Sequence, residues 1–500
     1  YQQLPLLILT ADRNHYYMFQ QEEQMIPQEP LYSAVCKKVV TLPHVRDEKD
    51  FWYCSRICNE ALMELRHGEN GPVHINFIVE NDYPIVQGIV KFDTAKLPDV
   101  KKIDRLTLED SDEKWMAKAQ QLKKSKILII YGQFPPLTQD ELDALETFSE
   151  QYNCVFSVDL LSNLHSKYSI PTFVLARTLN DEQLQKLVPD ILITMNANSI
   201  SEMKGRMGKF VNYFEHWHVS AKGEVSDPLK CLPNVVECSP YTFFKRFVSI
   251  GKTIDKNLNH SFFEEWDKAY RKLGTNGCLN EEKVSYSSMY AVQQVLKSIP
   301  ENARLHIANS NSIRLCNYFE VNSRVPVYGN RGAHGIDGSM SAFIGQANLS
   351  DKLSFLVIGD LSFFYDMNSL WNAYVGKNIR ILVCNNSGGA IFYSYPNKVN
   401  VPTLDEHIAA AHKTSVKDWV ISRGFKYIAA TNKEEFDSNL KLFMTEKSDV
   451  PILFEVFTDK NTDASSINKI VAPYKQLSAK QKISAVMPQG MKSMIKKIIK

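Results

Sequence analysis

The sequence predicts a doubly wound α/β protein whose domains are built on parallel sheets. Short Val/Ile/Leu runs that are apolar on both faces alternate with amphipathic stretches along the chain, as strands sandwiched between helices must. Clusters of Gly, Asp and Asn directly follow several of these runs, where an open α/β sheet places its ligands. A chain of 500 residues also exceeds what one hydrophobic core holds, so two or three such domains are expected.

In chain order, the apolar runs predict strands over residues 6–10, 73–78, 126–131, 190–195, 303–307, 355–358, 379–384 and 452–457. Apolar positions at helical spacing predict helices over 50–65, 138–151 and 284–297, and 340–347 reads as a buried helix. The opening Leu4-Pro-Leu-Leu-Ile-Leu-Thr10 reads as a buried parallel strand entered in mid-fold. No initiator Met or basic n-region precedes it, so it is no signal peptide, and the natural chain is expected to begin upstream. Two polar, turn-rich joints at 93–104 and 273–283 divide the chain into residues 1–92, a central domain over 104–275 and a C-terminal domain over 279–500. The central domain lacks a GxGxxG turn, so no dinucleotide is expected there.

Composition excludes several function classes. The 58 basic and 56 acidic side chains leave a net charge of +2, which gives no global field for nucleic acid or a membrane. No apolar run is long enough to span a bilayer. Nine cysteines are scattered without a repeated spacing, and Cys54 and Cys58 have no second pair to complete a zinc site. Thiols in a reducing cytoplasm are the expectation. From Ala464 to Lys500 there are eight lysines and no acidic residue. Residues 489–500 form a basic amphipathic pattern, which packs on protein or rests weakly on an anionic membrane surface.

The strongest chemical signal is a pair of strand ends. Phe355-Leu-Val-Ile-Gly-Asp360 runs into Gly-Asp, and Ile379-Arg-Ile-Leu-Val-Cys384 runs into Asn385-Asn-Ser-Gly-Gly389. Mg²⁺ takes hard oxygen ligands and shares its shell with phosphates. Asp360 offers a carboxylate, Asn386 an amide oxygen and Gly388 a backbone oxygen, while the glycines let a diphosphate approach. A second cluster, Tyr328-Gly-Asn-Arg-Gly-Ala-His-Gly-Ile-Asp-Gly338, carries Arg331, a fork donor suited to carboxylates. A third, Ala308-Asn-Ser-Asn-Ser-Ile-Arg314, sets Ser310 and Arg314 on one side of a starting helix, with Asn309 or Ser310 able to cap it. Thr10-Ala-Asp-Arg13 and Gln24 lie in the first piece.

Taken in order, TADR, ANSxxxR, NRGAxGIDG, GDLSxxYDMNSL and NNSGGAIF resemble the thiamine-diphosphate (ThDP)-dependent MenD family, over residues 4 to about 463. The resemblance implies the ThDP-enzyme fold and a cytoplasmic transferase of menaquinone biosynthesis. Such an enzyme decarboxylates 2-oxoglutarate and adds the succinyl unit to isochorismate. It implies ThDP and Mg²⁺ (or Mn²⁺) as cofactors and a homodimer or homotetramer with shared sites. Asp360, Asn386 and Gly388 would form the metal shell. Ile336 would bend the cofactor, and Asn309, Gly359, Leu361, Ile391 and Phe392 would lie beside it. Ser310 and Arg314 would hold the donor's carboxylate, Arg13 and Arg331 those of isochorismate, and Gln24 would lie near the reacting carbons, so Gln24, Arg331 and Ser310 count as catalytic. Lys204 fits a basic pair of which the second member is Gly205, with Arg206 as the compensating residue. His334 replaces a small residue, and Asn14–Tyr17 replaces prolines, both on the acceptor side. The Glu that activates the aminopyrimidine, with a further substrate arginine, is expected upstream of Tyr1. The alternatives are a different ThDP carboligase or 2-oxo acid decarboxylase, and a non-catalytic scaffold of the same fold.

Overall fold

The computed structural model describes residues 3–20, 26–79, 100–196, 198–253, 260–273, 284–394 and 399–471. Its strands in chain order are β1 (Leu7–Asp12), β2 (Lys38–Leu42), β3 (Val73–Ile78), β4 (Asp104–Thr107), β5 (Ile127–Tyr131), β6 (Cys154–Val158), β7 (Ser169–Pro171) and β8 (Ile191–Met195). There follow β9 (Glu215–Ser220), β10 (Asn234–Glu237), β11 (Arg304–Ile307), β12 (Val327–Tyr328), β13 (Ser354–Gly359), β14 (Ile379–Asn385), β15 (Lys426–Ala430) and β16 (Ile452–Phe457). The chain forms two compact units, Tyr1–Ala119 with Phe214–Arg246 and Gln120–Tyr213 with Phe247–Lys500. All but Leu273 of the joint at 273–283, most of the joint at 93–104, Gln24 and the tail at 489–500 lie outside the described residues.

In the first unit, β1-β3-β2 form a parallel sheet. The helix Glu48–Glu64 packs on β2 and β3 around Val40, Ile57, Ala61, Val73 and Ile75. Asp47 starts that helix by accepting the Lys49 and Asp50 N–H groups, each at 2.8 Å, a cap worth about 1 kcal/mol. β1 pairs with β3 in parallel, as expected, and Leu7 and Leu9 are 39% and 59% exposed in this chain. An edge strand has one neighbour, and the helices of this unit pack on β2 and β3 instead. The unit also carries the parallel run β4-β10-β9.

The second unit carries the parallel run β8-β5-β6-β7 and a six-stranded parallel sheet in the order β12-β11-β13-β14-β16-β15. The apolar runs expected here coincide with β5, β8, β11, β13, β14 and β16 to within one residue at each end. The helix expected from residue 284 begins only at Ser288, because the Ser287 hydroxyl accepts the Tyr290 N–H and caps it there. Ala308, Met340, Phe343, Leu356, Ile358, Phe363, Ile381 and Val383 belong to one buried cluster beside the sheet. At the sheet's rim Asn163, in the left-handed conformation, donates to the Val327 carbonyl at 2.8 Å and accepts the Val327 N–H at 2.8 Å.

Candidate active site

β11, β13 and β14 are parallel neighbours, so the residues that follow them emerge along one edge of the sheet. Asn309, Ser310, Asp360 and Asn386 are these residues, and with Ile336, Gly359, Leu361, Gly388, Ile391 and Phe392 they line one cavity of about 150 Å³. Every position assigned to the cofactor from the sequence thus falls on this wall.

Asp360 opens the helix Asp360–Asp366 and is 3% exposed. Its Oδ2 accepts the Gly388 N–H at 2.9 Å and lies 3.2 Å from His412 Nε2. His412 Nδ1 accepts the Thr414 N–H at 3.1 Å, so Nε2 carries the ring hydrogen and donates to Asp360. Asn386 gives Nδ2 to Asp463 Oδ2 at 2.8 Å, while its Oδ1 is buried with no hydrogen-bond partner. A buried acceptor left bare costs about 1–3 kcal/mol, and a cation in the cavity would remove that cost. The Gly388 carbonyl accepts the Ala390 N–H at 3.0 Å and keeps a second lone pair. One carboxylate, one amide oxygen and one carbonyl make a hard, all-oxygen donor set that suits Mg²⁺ or Mn²⁺. Among the described residues no three His, Cys, Asp or Glu side chains converge as a metal site.

Gly388 has a φ of +139°, and a Cβ there would stand 2.7 Å from the Ala409 carbonyl oxygen. Only glycine fits, and this lets the loop after β14 lie flat against the segment that carries His412.

The Gly-rich loop of residues 329–338 is held by Asn309, which is 2% exposed. Its amide donates to the Asn330 and Gly335 carbonyls at 2.7 and 2.6 Å and accepts Arg331 Nη1 at 2.8 Å. Asn309 lines the cavity, yet both ends of its amide are committed to the loop. Arg331 keeps a buried Nε without a partner. Ser310 stands at the N-cap of the helix Asn311–Cys316 with φ +62° and makes no side-chain capping bond. The capping role considered for it is therefore absent, and its carbonyl instead accepts Arg314 Nη1 at 2.7 Å.

Arg314, Arg331 and Lys204 gather positive charge around His334. Burial, followed by the charges of Arg177 and Arg331, lowers the Arg314 pKa. Burial, then Arg331, Arg314 and Lys204, lowers that of His334. His334 adopts φ +65° and lies 2.9 Å from Asn198 Oδ1 through Nε2. Arg206 does not compensate for Gly205: it binds Leu179 O at 3.0 Å, Asp181 Oδ1 at 2.9 Å and Ala176 O, which anchors its helix. Arg13 lies in the first unit, in a separate cavity of about 390 Å³ shared with His15, Tyr53 and Asn76.

Sequence reasoning missed His412 and Asp463. Neither sits in a glycine-rich cluster, and each reaches the site from far along the chain. Asp463 lies inside the helix Lys460–Val471, beyond the end of β16, so no strand-end signal of the kind that exposed Asp360 marks it.

No protein-family model matches the chain. Curated relatives do. A protein of Bacteroides thetaiotaomicron is 36% identical over 487 residues, 95% of this chain and 83% of its own length. One of Phocaeicola vulgatus is 34% identical over 481 residues, 94% and 82% of the two chains. One of Flavobacterium johnsoniae is 27% identical over 470 residues, 92% and 80%. Each is named 2-succinyl-5-enolpyruvyl-6-hydroxy-3-cyclohexene-1-carboxylate synthase. With this identity sustained along nearly the whole chain, the protein belongs to the family of 2-succinyl-5-enolpyruvyl-6-hydroxy-3-cyclohexene-1-carboxylate synthases.

Proposed function

We propose that this chain is a ThDP- and Mg²⁺-dependent carboligase that decarboxylates 2-oxoglutarate and joins the remaining succinyl unit to isochorismate. The observation that carries the reading is the bare, buried Asn386 Oδ1 beside Asp360 at the strand ends, in a chain so similar to the synthases above. Asp360, Asn386 Oδ1 and the Gly388 carbonyl would hold the cation that anchors the diphosphate. The bound thiazolium supplies an electron sink for the decarboxylation.

The chain's own residues do the rest. Arg314, with Ser310 beside it, takes the donor's distal carboxylate, since a guanidinium matches a carboxylate bidentately. Arg331, through its unpartnered Nε, holds a carboxylate of isochorismate, and Lys204 adds positive charge for the substrates. Arg13 joins Arg331 on the isochorismate carboxylates and Gln24 lies near the reacting carbons, in a homodimer or homotetramer. Ile336, Ile391 and Phe392 give the cavity an apolar wall that excludes water, which strengthens every charge interaction inside.

The test is turnover of 2-oxoglutarate with ThDP and Mg²⁺, with and without isochorismate, following CO₂ release and the adduct by mass. Isochorismate-dependent CO₂ release with formation of the adduct is expected. CO₂ release indifferent to isochorismate, with no adduct, would assign the chain to a different carboligase or decarboxylase.

A further inference from the structure

We infer that Asp463 is a positioning residue for the cation: it locks the Asn386 amide so that oxygen, not NH₂, faces the cavity. The inference rests on the function proposed above. The two ends of an asparagine amide have nearly the same shape, and only the oxygen can ligate a hard cation. Asp463 makes the choice. Its Oδ2 accepts Asn386 Nδ2 at 2.8 Å. Ser288 holds the same carboxylate through its N–H to Oδ1 at 2.8 Å and its hydroxyl to Oδ2 at 2.6 Å, and Thr458 Oγ1 reaches Oδ2 at 3.1 Å.

All four groups around the carboxylate thus donate to it. Turning the Asn386 amide over would set Oδ1 against the carboxylate oxygen and aim NH₂ at the cation, and both contacts repel. Asp463 is 3% exposed and is absent from the cavity wall. It therefore acts on the metal through Asn386, as the hydrogen-bond partners of metal ligands do. Ser288 begins the helix Ser288–Ser298 and Asp463 lies in the first turn of Lys460–Val471, so two distant segments of the chain set one amide.

Asp463→Asn is the test. The new amide would offer an N–H to Asn386, whose oxygen would then turn inward and its NH₂ outward. Mg²⁺ titrated calorimetrically into protein with saturating ThDP should show a midpoint roughly tenfold to a hundredfold higher. The double variant Asn386→Asp with Asp463→Asn places oxygen at both ends of residue 386 and should recover most of the lost affinity. Where Asp463→Asn alone does not fold, the double variant carries the test. A wild-type midpoint for Asp463→Asn overturns the inference. So does a double variant that binds no better than the single one, or that does not fold, since Asp463 would then be a structural residue. Asp360→Ala is measured alongside: if it too binds Mg²⁺ and ThDP normally, the fault lies with the proposed function itself.

Discussion

Replacing Gly388 by alanine should disable the cavity without removing one liganding atom. The residue's φ of +139° is one that L side chains rarely adopt, and the added Cβ meets backbone, with Ala409 O at 2.7 Å and Ala411 Cα at 3.3 Å. The backbone strain is of the order of 1–3 kcal/mol, and displacing a packed neighbour costs roughly 1–3 kcal/mol more. The loop relaxes only by giving up Gly389 N–H to Ala409 O at 2.7 Å and Gly388 N–H to Asp360 at 2.9 Å. If about 2 kcal/mol of that strain opposes binding, ThDP affinity falls roughly thirtyfold. Isothermal titration of ThDP at saturating Mg²⁺ reads this directly. Gly345→Ala is the matched control, because its Cβ meets nothing within 4 Å and it lies inside the helix Ser339–Ala347. There alanine should leave binding unchanged and stabilise the helix by up to about 1 kcal/mol. Wild-type ThDP affinity in folded Gly388→Ala would refute the claim that this loop's backbone shapes the site.

Asp360→Ala should abolish Mg²⁺-dependent ThDP binding, since it removes the one carboxylate among the three assigned ligands; ThDP titrations with Mg²⁺ and with EDTA check this, and equal affinities would sink the assignment. Arg314→Ala should raise the donor KM roughly tenfold or more, from about 1.5–3 kcal/mol for a lost charge-assisted bond, with ThDP affinity intact; parallel losses in both would mark Arg314 as structural. His306, in β11, has its pKa pushed down to about 4 by burial. The unfolded chain therefore binds this proton first as pH falls, so the stability that neutral His306 contributes is complete above pH ~6.5 and is lost towards pH ~4, up to about 3 kcal/mol. Urea midpoints at pH 7 and pH 5 should diverge less in His306→Gln than in the wild type, and an equal divergence would mean that another group governs the acid limb.

The six-stranded sheet was the most legible part of the sequence because its central strands are apolar on both faces. β9 was not legible: Glu215-His-Trp-His-Val-Ser220 alternates polar residues, yet His216 and His218 are 0% and 3% exposed. His216 Nδ1 faces the buried Asp227 carboxylate at 3.7 Å, a tertiary neighbour that no periodicity records. Likewise Glu455 sits fully buried in β16 because Asn385, Ser415 and Tyr427 all donate to it. At the site, the ligand types announced themselves through glycine-rich strand ends, since chemistry and tight turns coincide there. The groups that orient them did not. His412 and Asp463 are ordinary residues whose meaning lies in a partner 52 and 77 positions away. The error over Arg206 has the same origin: adjacency to Gly205 says nothing about which way a helical side chain points.

The amide of Asn163 stands in for a missing neighbour strand. β12 is two residues long and lies at the end of its sheet, where unpaired rungs of the ladder would invite another chain to add on. Both outward groups of Val327 are instead occupied by one side chain that imitates a peptide unit. The rim is sealed by a side chain in place of a strand. Asn163→Ala should reopen two adjacent rungs at once and convert a closed border into a template for self-association, visible as concentration-dependent oligomers in light scattering.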